Sequence, residues 1–133
     1  MSFGILKADT LTHSTAGSVT TNNVVNGSAK HWANLNGDGT IALRDSFNTA
    51  SATDGGTGDY SFTFTNNMSD TNYLAVGAIS QDYASSNDIF QVHTGSNEEA
   101  APTTSTYRNA TRNNNGNSSD NPRVNAEVLG DLA

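Results

Sequence analysis

The run Asn34-Leu35-Asn36-Gly37-Asp38-Gly39-Thr40-Ile41-Ala42-Leu43-Arg44-Asp45 sets oxygen-bearing side chains at the first, third, fifth and twelfth places of a loop. Glycine stands sixth and an aliphatic eighth. That is the spacing by which a calcium loop wraps its ion. The donors themselves fall short. Calcium takes six or more oxygens and charge tunes its affinity, yet the only carboxylates are Asp38 and Asp45. The twelfth place lacks a bidentate Glu, and no amphipathic helix flanks either end. Asn-Gly-Asp-Gly is also a strong turn signal. The expectation is a hairpin turn and no metal site.

Acid–base and nucleophilic chemistry is sparser still. His13, His31 and His93 have no Ser or Asp beside them in a nucleophile setting, and no Gly-x-Ser-x-Gly elbow exists. Asp54 and Asp59 flank a glycine turn, and turn chemistry accounts for them better than a glycosidase pair. Gly55-Gly56-Thr57-Gly58 has no following Lys or helix and reads as a turn, not a phosphate loop. With no cysteine, a disulfide, a thiolate zinc site and a Cys nucleophile all drop out. No catalytic residue and no cofactor are expected. Recognition is the better prospect. Trp32, the single tryptophan, reads as a core anchor, with a sugar-stacking platform as the alternative. Tyr107, with Arg108 and Arg112 nearby in a polar stretch, is the candidate for an outward recognition loop.

The elements that must hold these residues follow a period of two. Asp59-Tyr60-Ser61-Phe62-Thr63-Phe64-Thr65 alternates aromatic and polar residues, the mark of a half-buried strand. Lys30–Leu35, Ile41–Phe47, Tyr73–Ile79, Ile89–His93 and Val124–Val128 complete six strands, and Ile5–Leu11 is a possible seventh. Tyr73–Ile79 is apolar in both phases and is expected to be buried on both faces. No window shows an amphipathic helical repeat. The expected fold is all-β, a jelly-roll-like β-sandwich of short antiparallel strands. Residues 1–29 are expected to form an extended N-terminal arm, and 30–133 the sandwich, with a long polar loop at about 95–123.

Composition narrows function further. Asn, Thr, Ser and Gly supply 62 of 133 residues, so the core is thin. Oligomerisation is a usual source of the missing stability, and a homo-oligomer is expected. Six basic against thirteen acidic residues, for a net charge of −7, argue against tracking nucleic-acid phosphates. No apolar run reaches a membrane span, and Met1-Ser2-Phe3-Gly4-Ile5 lacks a signal-peptide pattern.

Lys30-His31-Trp32, the turn Asn36–Thr40, the strand Ile41–Asn48, the turn and strand Asp54–Tyr60, and the entry Asp70-Thr71-Asn72-Tyr73 follow in fixed order. This stretch, about a third of the chain, resembles a domain of tailed-phage virion proteins. Such domains are common in tail fibres and tailspikes of phages infecting cyanobacteria and other aquatic bacteria. The resemblance implies an all-β, trimeric virion surface domain without a cofactor. Here the domain is expected to begin about thirty residues from Met1, without a shaft before it. That fits a capsid cement or decoration protein seated on the outer shell against the major capsid protein. The arm would then be its grip, through Phe3, Ile5 and Leu6, and the polar loop would face a host surface polysaccharide. The alternative is the receptor-binding tip of a fibre or tailspike, or a carbohydrate-binding module.

Overall fold

In a computed structural model, which describes residues 7–80, 89–92, 101–113 and 115–133 (His13, Ser80 and 89–92 as backbone), the period-two segments pair antiparallel throughout. The strands are β1 (Thr10–His13), β2 (Gly17–Thr20), β3 (Ala29–Asn36), β4 (Ala42–Phe47) and β5 (Thr49–Gly56). They continue with β6 (Asp59–Phe64), β7 (Leu74–Ser80), β8 (Ile89–Val92), β9 (Thr106–Arg112) and β10 (Arg123–Leu129). One short helix, α1 (Thr21–Gly27), lies between β2 and β3. Two four-stranded sheets carry the body, in the orders β4-β3-β10-β7 and β5-β6-β9-β8, and β1 and β2 form a separate hairpin. The fold is all-β, as expected.

Alternation sets the core. Leu35 and Ala33 of β3, with Val124, Ala126 and Val128 of β10, point inward from one sheet. Tyr60, Phe62 and Phe64 of β6 and Tyr107 of β9 point inward from the other. Aromatic bulk on one side meets small aliphatics on the other, so a few rings fill most of the space.

The chain changes sheets between β4 and β5 within one residue, Asn48, whose φ is 56°. Asparagine tolerates this left-handed conformation better than other residues with a β-carbon. Its amide holds the corner: Nδ2 donates to the carbonyls of Lys30 (2.8 Å) and Asn66 (3.0 Å), and Oδ1 accepts from the Asn66 amide (2.6 Å). Asn48→Ala, which loses these bonds and the one Oδ1 accepts from Asn66 Nδ2 (3.2 Å) while keeping the strained φ, is expected to cost roughly 2–3 kcal/mol in urea denaturation. Asn48→Gly, which relieves the φ, is expected to cost less.

Three expectations are corrected here. Strand β7 is buried on one face only: Ala75 and Ile79 pack on the core, whereas Leu74 and Val76 are exposed. It is an edge strand, and the opposing sheet covers one side. The stretch 95–123 is not one loop, because it contains β9, which pairs with both β6 and β8. Within the arm, residues 10–27 are a hairpin and a helix, not extended chain. Thr20 caps α1 by accepting from the Asn23 amide (3.4 Å), and Thr21 Oγ1 donates to the Ala8 carbonyl (2.6 Å). Lys30, largely buried at the start of β3, joins arm to body. Its Nζ donates to the carbonyls of Val25 and Ser28 at the helix C-terminus.

Candidate binding face

The residues expected to act together are dispersed. Tyr107 is only 3 % exposed, stacked on Phe62 at a centroid distance of 5.4 Å. Burial pushes its phenol pKa well up. It is a core residue and not part of an outward loop. The reason is phase: Tyr107, Asn109 and Thr111 face inward along β9, leaving Arg108 and Arg112 on the other side. Arg108 forms an ion pair with Asp59 on the outer surface of its sheet. Arg112 Nη1 donates to the Gly116 carbonyl (3.1 Å). Asp59 is therefore held by an ion pair, whereas Asp54 does the expected turn work by accepting from the Gly56 amide (2.8 Å). Phe3, Ile5 and Leu6 lie outside the described residues, as does His93.

The calcium-like run is the β3–β4 hairpin connection. Asn36 Nδ2 donates to the carbonyl of Asp38 (2.7 Å), and Asn36 Oδ1 accepts from Arg44 Nη2 (3.0 Å). Two of the loop's would-be metal donors, Asn34 and Asn36, thus serve the same arginine.

His31 sits at the centre of the core, fully buried. Its ring meets Phe62, Phe64 and Tyr107 edge-on, at centroid distances of 5.8, 5.2 and 5.2 Å. Thr49 Oγ1 lies 3.0 Å from Nε2 and the Tyr107 hydroxyl 3.3 Å from Nδ1. Desolvation lowers its pKa from 6.5 to about 4, so it is neutral at pH 7. A second buried polar group closes one end of the sandwich. There the Tyr60 hydroxyl reaches the Gly37 carbonyl (2.7 Å) and Asp120 Oδ1 (3.1 Å). Burial first, and Asp120 second, raise the Tyr60 pKa. Both constellations are structural, because neither opens to a substrate.

What faces outward is Trp32, 38 % exposed, and not the core anchor expected. His31, Ala33 and Leu35 take the inner phase of β3, which leaves Trp32 and Asn34 on the outer one. Across the sheet, Phe47, Trp32, Glu127 and Val76 stand in one row, and Asp45, Asn34, Asn125 and Ala78 in the next. Between β3, β10 and β7 these rows leave a groove of about 520 Å³. Asn34 Nδ2 donates to Asn125 Oδ1 (2.5 Å) across its floor. The sequence offered a signal for this face: Trp32 is in phase with Asn34, not with Leu35.

Comparison of the chain with protein-family models, with curated proteins and with solved structures returns no match.

Proposed function

We propose that this chain is a non-enzymatic structural protein of a tailed-phage virion. In this reading it is a homotrimeric cement or decoration protein on the outer capsid surface, held there through its N-terminal arm. The observation supporting the reading is that the described residues of the arm bury no apolar core of their own. Leu11 and Val19 stand opposite each other on the β1–β2 hairpin, and both are exposed. Val24 and Val25 of α1 are exposed as well, and the helix buries no residue. A two-stranded hairpin is marginal in water by itself, and seven residues are too few for an independent helix. Four aliphatic side chains arranged in this way call for a partner surface, either the arms of sister copies or a shell of coat subunits.

Deletion of residues 2–29 tests this. The full chain is expected to sediment at three times 13.9 kDa, and the truncated body as a folded monomer that no longer decorates particles. Persistence of the trimer after truncation would move the association surface onto the sandwich and reject the arm as the grip.

A further inference from the structure

The outer face of the β4-β3-β10-β7 sheet has a chemistry that the attachment reading does not use, and none of the residues lining its groove belongs to the arm. We propose that this groove binds a neutral polysaccharide, with a sugar ring stacked on Trp32 and its hydroxyls hydrogen-bonded by Asn125 and Glu127.

Three properties of the groove point to that ligand. The first is an exposed flat ring with polar groups at its side. Glu127 stands directly opposite Trp32 in the β10–β3 register, and Asn125 follows two residues along the same face, roughly 7 Å away. A sugar presents the same alternation, an apolar C–H face bordered by hydroxyls that both donate and accept.

The second property is unspent hydrogen-bonding capacity. Asn125 Oδ1 is occupied by Asn34, but Asn125 Nδ2 and the Glu127 carboxylate have no hydrogen-bond partner among the described residues. One free donor and one free acceptor therefore flank the indole.

The third is charge and size. No Lys or Arg lines the groove, Glu127 does, and the chain carries a net charge of −7, so an anionic polymer would be repelled. A volume of about 520 Å³ lies in the range of small-ligand clefts. Val76 and Ala78 form the far wall, small enough to leave the ring's face open.

Trp32, as the single tryptophan, reports on its own site. The full-length protein is titrated with dextran, laminarin, galactomannan and arabinoxylan as neutral probes and with alginate as the anionic one, following indole emission. At least one neutral polysaccharide is expected to shift the emission saturably, and alginate is not. By affinity electrophoresis in gels containing that polysaccharide, Trp32→Ala is expected to abolish retardation. Asn125→Ala is expected to weaken it at least tenfold, with both variants folded by circular dichroism, and Trp32→Phe to keep part of it. No saturable shift with any neutral probe, a response to alginate instead, or undiminished retardation of the folded Trp32→Ala variant would each overturn the proposal. So would an emission change that tracks protein concentration alone, which would make the face a contact between copies. None of these outcomes depends on whether the arm attaches the protein to a particle.

Discussion

Tyr107→Ala is expected to destabilise the protein by about 3–5 kcal/mol, and Trp32→Ala by less. Truncating a buried ring removes its transfer energy and leaves a cavity that neighbours fill only in part. Tyr107 stacks on both Phe62 and Phe64, at centroid distances of 5.4 and 5.5 Å, and meets His31 edge-on. Its loss would therefore loosen β3, β6 and β9 together. For a domain of this length, total stability is expected on the order of 5–15 kcal/mol, so the variant would sit at or near the edge of folding. Trp32 has its outer surface in solvent and no ring partner among the described residues, so its truncation opens no internal cavity. Urea denaturation of the two variants, followed by far-ultraviolet circular dichroism, makes the comparison. A larger loss for Trp32→Ala than for Tyr107→Ala would reverse the assignment of inside and outside.

That exchange of roles shows where the sequence is legible. Strand β6 is plain because its inward residues are all aromatic and its outward ones all polar, so period and hydrophobicity agree. In β3 they conflict. The largest apolar side chain, Trp32, lies in the phase of Lys30 and Asn34, while the inner phase carries His31, Ala33 and Leu35. Size suggests a core anchor there, and phase gives the correct face. Strand β9 fails in the opposite way: its inner phase is Tyr107, Asn109 and Thr111, two of the three polar, so no hydrophobic alternation marks it. Arg108 and Arg112 share the outer phase, but their spacing of four suits a helix face equally and marks no strand. Strand β5, Thr49–Gly56, carries a single core-packed residue, Ala52, and two register irregularities against β6. Such a bulged, polar edge resists pairing with other chains, and for the same reason it gives no strand signal. The groove was hidden for a further reason. Its residues come from β3, β7 and β10, and only the sheet order brings Trp32, Val76 and Glu127 into one row.

Acid is expected to weaken the protein through His31 well before carboxylate titration would do so. In the unfolded chain the imidazole titrates near 6.5, and in the folded core near 4. Between these values the unfolded state holds a proton that the native state rejects, so stability rises with pH across that interval. The contribution is complete above pH 6.5 and is lost progressively as the pH falls towards 4. A displacement of that size corresponds to roughly 3 kcal/mol. The native core gives the imidazolium nothing in return. Its neighbours are the Thr49 hydroxyl, the Tyr107 hydroxyl and the rings of Phe62 and Phe64, and none of them is an anion at these pH values. Protonation would also convert both ring nitrogens to donors, so whichever hydroxyl donates to the ring must turn away. Urea midpoints measured from pH 8 to pH 4 should therefore fall most steeply between 6.5 and 4. His31→Gln, which keeps an amide near Thr49 but cannot titrate, should start less stable and show a flatter profile over the same interval. Parallel profiles for the two proteins would assign the acid sensitivity to other groups and remove His31 from the account. A flatter profile for the variant would place the acid limit of the fold at the imidazole where β3 meets the aromatic side chains of β6 and β9.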